Sequence, residues 1–199
     1  MLSKSEQVLQ LIRQTGLLRA RELDAHQLPR QYLHLLCAAG KVERVGRGLY
    51  RAVEADLSIH HSLTLVSKRV PQGVVCLLSA LGYHGLTTQF PFEIWLALGS
   101  KSWRPKVQYP PLHVVWFSGA ALTTGVETHQ IEGVPVRIYS LAKTVADCFK
   151  YRHKIGLEVA LEALRESWQQ RRATMDELWQ CAQACRVAQV MRPYLESLT

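Results

Sequence analysis

Along the first fifty residues apolar side chains recur at helical spacing, and the spacing then changes to that of short strands. Val8, Leu9, Leu11 and Ile12, between Ser5 and Thr15, form one face of an amphipathic helix. Residues 17–23, Leu-Leu-Arg-Ala-Arg-Glu-Leu, predict a short second helix, and His26-Gln27-Leu28 turns into a third. Pro29 suits a first helical turn, where its missing N–H would have no partner anyway. Leu33, Leu36 and Cys37 then face a core, leaving Arg30, Gln31, His34 and Ala38 opposite. Gly40 stops the helix. Residues 42–45 and 49–51 read as strands around Gly46-Arg47-Gly48, a turn in which glycine supplies positive φ. Three helices followed by a basic hairpin predict a winged helix-turn-helix, with the third helix in a major groove and the wing on the DNA backbone.

Residues 52–56 are polar and mark the expected boundary between a domain of residues 1–55 and one of residues 56–199. Beyond it, Ile59, Leu63, Val66 and Val70 predict a helix ended by Pro71-Gln72-Gly73, and residues 74–78 a buried strand. Ser79 is expected to cap a brief helix closed by Gly85. Residues 93–98, 112–117, 126–131 and 134–139 complete a sheet, with Glu132-Gly133 as a hairpin turn. Pro135 donates no ladder hydrogen bond, which predicts an edge strand or a bulge there. From Ser140 onward the pattern is helical: Leu141, Val145, Cys148 and Phe149 make one face, Gly156 breaks the run, and Thr174 caps a later helix. Strands followed by helices predict an α+β domain with a mostly antiparallel sheet and helices on one face.

Charge changes the picture. Nine of the 24 Lys and Arg residues lie within residues 1–51 against four acids, so this quarter of the chain holds +5 of the formal +8. Basic character gathered in a candidate reading head suits a polyanion, because each phosphate neutralised releases condensed counterions. Arg19, Arg21, Arg30, Gln31, His34, Lys41, Arg44, Arg47 and Arg51 are the candidate DNA contacts. No apolar run is long enough to span a bilayer, and Met1-Leu2-Ser3-Lys4 leads directly into a polar helix without a signal peptide. Five cysteines, an odd number and mostly inside apolar stretches, indicate reduced thiols and a cytoplasmic protein.

Catalytic chemistry finds little support. Glu93 has no Glu-x-Lys or Asp-x-Lys on a neighbouring strand, as a metal-dependent nuclease would need, and Leu98-Gly99-Ser100 has no Asp-x-Asp pair downstream. Cys181 and Cys185 lack a second ligand pair at zinc spacing. The expectation is no metal, no cofactor and no enzyme, the alternatives being a nuclease-like enzyme recruited by the winged helix or an orphan regulator. The segment 99–111 is distinct, since Lys101, Arg104 and Lys106 alternate with Trp103 and Tyr109, a composition suited to contact with nucleic acid or an acidic partner.

Ser79-Ala80-Leu81-Gly82-Tyr83-His84-Gly85-Leu86, Phe92-Glu93-Ile94-Trp95-Leu96-Ala97 and Ala142-Lys143-Thr144-Val145-Ala146-Asp147-Cys148-Phe149-Lys150-Tyr151-Arg152 resemble the AbiEi family of antitoxins. So does the run from Gly40 to Tyr50. The resemblance implies a winged helix that represses its own operon from inverted repeats in duplex promoter DNA. It also implies a C-terminal domain that counteracts a nucleotidyltransferase-like toxin encoded next door. On that basis Lys101, Trp103, Arg104, Lys143, Asp147 and Lys150 are the expected toxin-facing residues. Nothing in the sequence bears on oligomeric state.

Overall fold

The structure, a computed structural model, describes residues 2–87 and 91–198. Met1, which opens the stretch read as free of a signal peptide, lies outside them, as does Thr199. The chain divides into two compact units: Met1–Pro71 together with Gln130–Val136, and Gln72–His129 together with Arg137–Thr199. The division falls after α4 (His61–Arg69), not at residues 52–56. The reason is an ion pair and a backbone bond that secure α4: Lys68 Nζ lies 3.1 Å from both Glu22 carboxylate oxygens, and Arg19 donates to the Lys68 carbonyl.

The first unit runs α1 (Lys4–Thr15), β1 (Leu17–Arg19), α2 (Glu22–Ala25), α3 (Gln31–Ala38), β2 (Val42–Gly46), β3 (Leu49–Ala52) and α4. Ser3 and Glu6 form a reciprocal capping box at the start of α1. Residues 17–23 do not form one helix. Leu17, Leu18 and Arg19 instead pair antiparallel with Arg51, Tyr50 and Leu49, giving a three-stranded sheet in the order β1-β3-β2. At the end of α3 the Lys41 N–H donates to Leu36 and the Gly40 N–H to Cys37, both at 3.0 Å, with Gly40 at φ 67°. This is a Schellman stop, as the glycine predicts. Val8, Ile12, Leu18, Leu23, Leu33, Leu36, Val42 and Tyr50 share the core.

Ile59, expected inside a helix, precedes α4 and is 91% exposed. At the other face of this unit Gly16 (φ 64°) and the turn Glu132-Gly133 meet backbone to backbone. A Cβ on Gly16 would stand 1.6 Å from the Glu132 carbonyl oxygen. Glu132 accepts from the Ser58 N–H at 2.7 Å and hydrogen-bonds His61 Nδ1 at 2.7 Å. Burial alone would push its pKa up; the bonds from His61 and Ser58 outweigh burial and hold the carboxyl below the ordinary range.

The second unit contains β4 (Val74–Val75), α5 (Leu77–His84), β5 (Ile94–Gly99), β6 (Leu112–Phe117), α6 (Ala120–Thr123), the outer parts of β7 (Val126–Ile131) and β8 (Val134–Tyr139), and then α7 (Leu141–Lys150), α8 (Arg152–Ile155), α9 (Leu157–Gln169), α10 (Met175–Ala184) and α11 (Ala188–Glu196). The strand expected over 74–78 is only two residues long. Cys76 is the N-cap of α5, and Ser79 lies inside that helix, where its hydroxyl accepts from the Trp95 N–H at 2.9 Å. The sheet order is β6-β5-β4-β8-β7.

The sheet is mixed, not mostly antiparallel: β5 pairs with β6, and β4 with β8, in parallel. The long connection between β5 and β6 provides the crossover that a parallel pair needs. β8 is also interior, not an edge. Pro135 is tolerated because β4 meets β8 only at Val75–Ile138, beyond the proline. Trp95, Ala97, Val115 and Phe117 alternate onto one face of the sheet and join the side chains of α5, α7, α9, α10 and α11 in one core.

Candidate nucleic-acid interface

Four of the arginines singled out in the sequence converge. Arg19 at the end of β1, Arg21 before α2, Arg30 at the N-cap of α3 and Arg47 at the wing tip line one concavity of about 270 Å³. Arg69, from the end of α4, is the fifth. The remaining lining is Ala20, Gly48 and Leu49, so no carboxylate stands among the described residues that line it. The folding of the wing produces this gathering. The Ala20 N–H donates to Gly48 O at 2.9 Å, which ties the end of β1 to the tip, and the ladder shifts register between Arg44 and Gly46. Gly46 lets the Arg69 guanidinium lie against the wing backbone, since a Cβ there would displace the guanidinium, standing 2.1 Å from Nη2. That nitrogen donates to Val45 O at 3.4 Å.

The electrostatics suit an anion. Burial and then repulsion from Arg21 lower the Arg19 pKa, against the pull of Glu22, and burial lowers that of Arg69. Both remain cations at neutral pH, and a phosphate in the concavity would relieve the repulsion between them. Arg30 is oriented by Asp24, with Nε 3.1 Å from Oδ1.

Gln31 and His34 lie outside this concavity on the exposed face of α3, in one stripe with Ala38 and with Leu35, which is 58% exposed. Lys41 and Arg44 are exposed beside it, and Arg44 Nε donates to Gly46 O at 3.2 Å. Arg51 is a correction: its guanidinium is bound to Glu43 across the β2–β3 ladder and is only 13% exposed, so it braces the wing.

The toxin-facing set divides as well. Lys101, Trp103, Arg104 and Lys150 are exposed. Lys143 and Asp147 are not surface residues, since both side chains are 0% exposed and Lys143 Nζ lies 2.6 Å from Asp147 Oδ2. The ammonium sits over the rings of Tyr139 and Phe117, 4.0 and 4.9 Å from their centroids, and the Cys185 thiol donates to Asp147 Oδ1 at 3.2 Å. The reason is that α7 is enclosed on every side from Leu141 to Phe149. Burial pushes the Asp147 carboxyl up, against the pull of Lys143.

Two residues were missed, Arg69 and Leu35. Lys68-Arg69 at a helix C-terminus reads as a complement to the helix dipole, which conceals a second use. Leu35 interrupts a polar stripe and is visible as an apolar residue on the wrong face.

A β1-braced trio of helices, an exposed third helix and an arginine-tipped hairpin define a winged helix-turn-helix module. Residues 6–53 match the family model described as "Transcriptional regulator, AbiEi antitoxin". The N-terminal module is thus similar to that family, and the match supports a regulator or antitoxin role. The matched segment ends before α4, so Arg69 lies outside it. No curated protein matches the chain. No helix among the described residues is long and apolar enough to cross a membrane. Among them no group of three or more His, Cys, Asp or Glu is placed to hold a metal ion.

Proposed function

We propose that this protein is a DNA-binding repressor of its own operon and the antitoxin of a nucleotidyltransferase-like toxin. The observation that carries the DNA reading is the concavity lined by five arginines, one of them (Arg30) ion-paired with Asp24, beside the exposed face of α3. In this reading a backbone phosphate occupies the concavity, fixing register without reading sequence, while Gln31, His34 and Leu35 meet base edges. Gel-shift titration of a promoter fragment at two salt concentrations tests it. Arg47→Ala and Arg69→Ala each weaken binding on every sequence and reduce the salt slope by about one. Gln31→Ala instead costs about 1–3 kcal/mol at the matching base and relaxes preference there. Absence of any shift for the wild-type chain at low salt overturns the reading.

The toxin-facing role is proposed for the C-terminal unit, with support from the family described by the N-terminal match. With Lys143 and Asp147 buried, Lys150 is the exposed charge on α7. Lys150→Glu is expected to impair growth rescue when co-expressed with the adjacent toxin gene, while leaving repression of a promoter reporter unchanged. Full rescue by this variant removes α7 from the toxin-facing surface.

A further inference from the structure

The segment between β5 and β6 is not used by the DNA reading, and it displays aromatics to solvent together with Phe92 just before β5 and Trp116 within β6. Trp103 is 93% exposed, Phe92 88%, Tyr109 64% and Trp116 45%. Indole and phenyl rings are normally covered, and several exposed together mark a contact surface. The backbone brings them along one border of the sheet. Trp116 Nε1 donates to Ser102 O at 3.1 Å, placing the β6 tryptophan against the residue before Trp103. At the other end of β6 the Ile94 N–H donates to Pro111 O at 2.9 Å, which sets the residues flanking Phe92 and Tyr109 side by side. Arg104 spans the interval, its guanidinium 3.4 Å from Leu112 O.

The charge on this border is mainly positive. Lys101, Arg104 and Lys106 are exposed, and the carboxylate at its Phe92 end, Glu93, is held by His113 Nδ1 of β6 at 3.2 Å, with no further acidic residue in the sequence before Glu127. Flat π-faces interleaved with cations are complementary to a strand whose phosphates and unpaired bases are both accessible. A duplex hides its base faces in the stack, and an acidic peptide does not present a ring with every charge, as a nucleic-acid strand does. We propose that the border formed by β6 and the 99–111 segment binds a single-stranded nucleic acid, with bases stacking on Trp103 and Trp116 and phosphates meeting Lys101, Arg104 and Lys106.

Fluorescence anisotropy of labelled oligo(U) with the full chain tests this. Wild type binds, and Trp103→Ala weakens binding about tenfold, as loss of one stacked base does, while Trp103→Phe retains most of it. Lys101→Gln with Lys106→Gln lowers affinity and flattens the salt dependence. Arg47→Ala leaves oligo(U) binding unchanged although it weakens duplex binding, so failure of the wing and failure of this surface are read separately. Circular dichroism of each variant confirms folding. The proposal is overturned if oligo(U) does not bind, if Trp103→Ala binds like wild type, or if polyglutamate or duplex DNA displaces oligo(U) as effectively as unlabelled oligo(U) does.

Discussion

Asp147→Ala is expected to destabilise the C-terminal unit by about 3–5 kcal/mol, because it strands the Lys143 ammonium in a fully buried site. The rings of Tyr139 and Phe117 offer that ammonium only their π-faces, and the Cys185 thiol loses its acceptor. Replacing both members at once, Lys143→Met with Asp147→Leu, is expected to recover most of the loss, since two apolar side chains of similar size fill the site without a desolvated charge. Urea melts of the wild type, the single variant and the double variant form the test. If the single variant melts with wild type, the pair does not hold α7 in place. Recovery in the double variant would show that the pair specifies how α7 meets the Cys185 end of α10 more than it stabilises the packing.

Gly16→Ala is expected to be the most damaging small change in the first unit. The new methyl would overlap the Glu132 carbonyl, and Gly133 opposite is also confined, though less tightly, its own Cβ position lying 2.9 Å from Gln14 O. Positive φ adds to the steric cost, for a total on the order of 3 kcal/mol. Gly40→Ala and Gly48→Ala also carry positive φ but meet nothing within 4 Å, so each should cost only about 1 kcal/mol. Thermal or denaturant melts of the three variants separate the two causes. Equal losses at all three positions would mean that the meeting of Gly16 with the hairpin turn contributes nothing beyond backbone conformation.

What was legible in the sequence is what local chemistry decides. The spacing of Val8 and Ile12, the glycine after α3, the Gly-Arg-Gly wing and the Ser140 and Thr174 caps all express preferences of neighbouring residues, and each stands in the structure. β1 was not legible because Leu17-Leu18-Arg19 is too short to show a period, and it becomes a strand only when β3 returns to pair with it. Lys143 and Asp147, one helical turn apart, have the spacing of an ordinary surface pair. Their burial depends on α9, α10 and α11, which lie later in the chain. Four of the five arginines in the concavity were visible as charges near a reading helix. Arg69 was not, because its place depends on α4, a later helix, bringing its end to the wing.

The first unit is assembled from two separate stretches of chain, since Gln130–Val136 belongs with Met1–Pro71. It cannot be transferred whole by a single genetic junction. A recombinant that exchanged everything before Gln72 for another N-terminal module would keep the Glu132-Gly133 turn but lose Gly16, Ser58 and His61, the residues shaped to receive it. An exchange that keeps the unit intact has to carry the Glu132-Gly133 turn together with Gly16, Ser58 and His61.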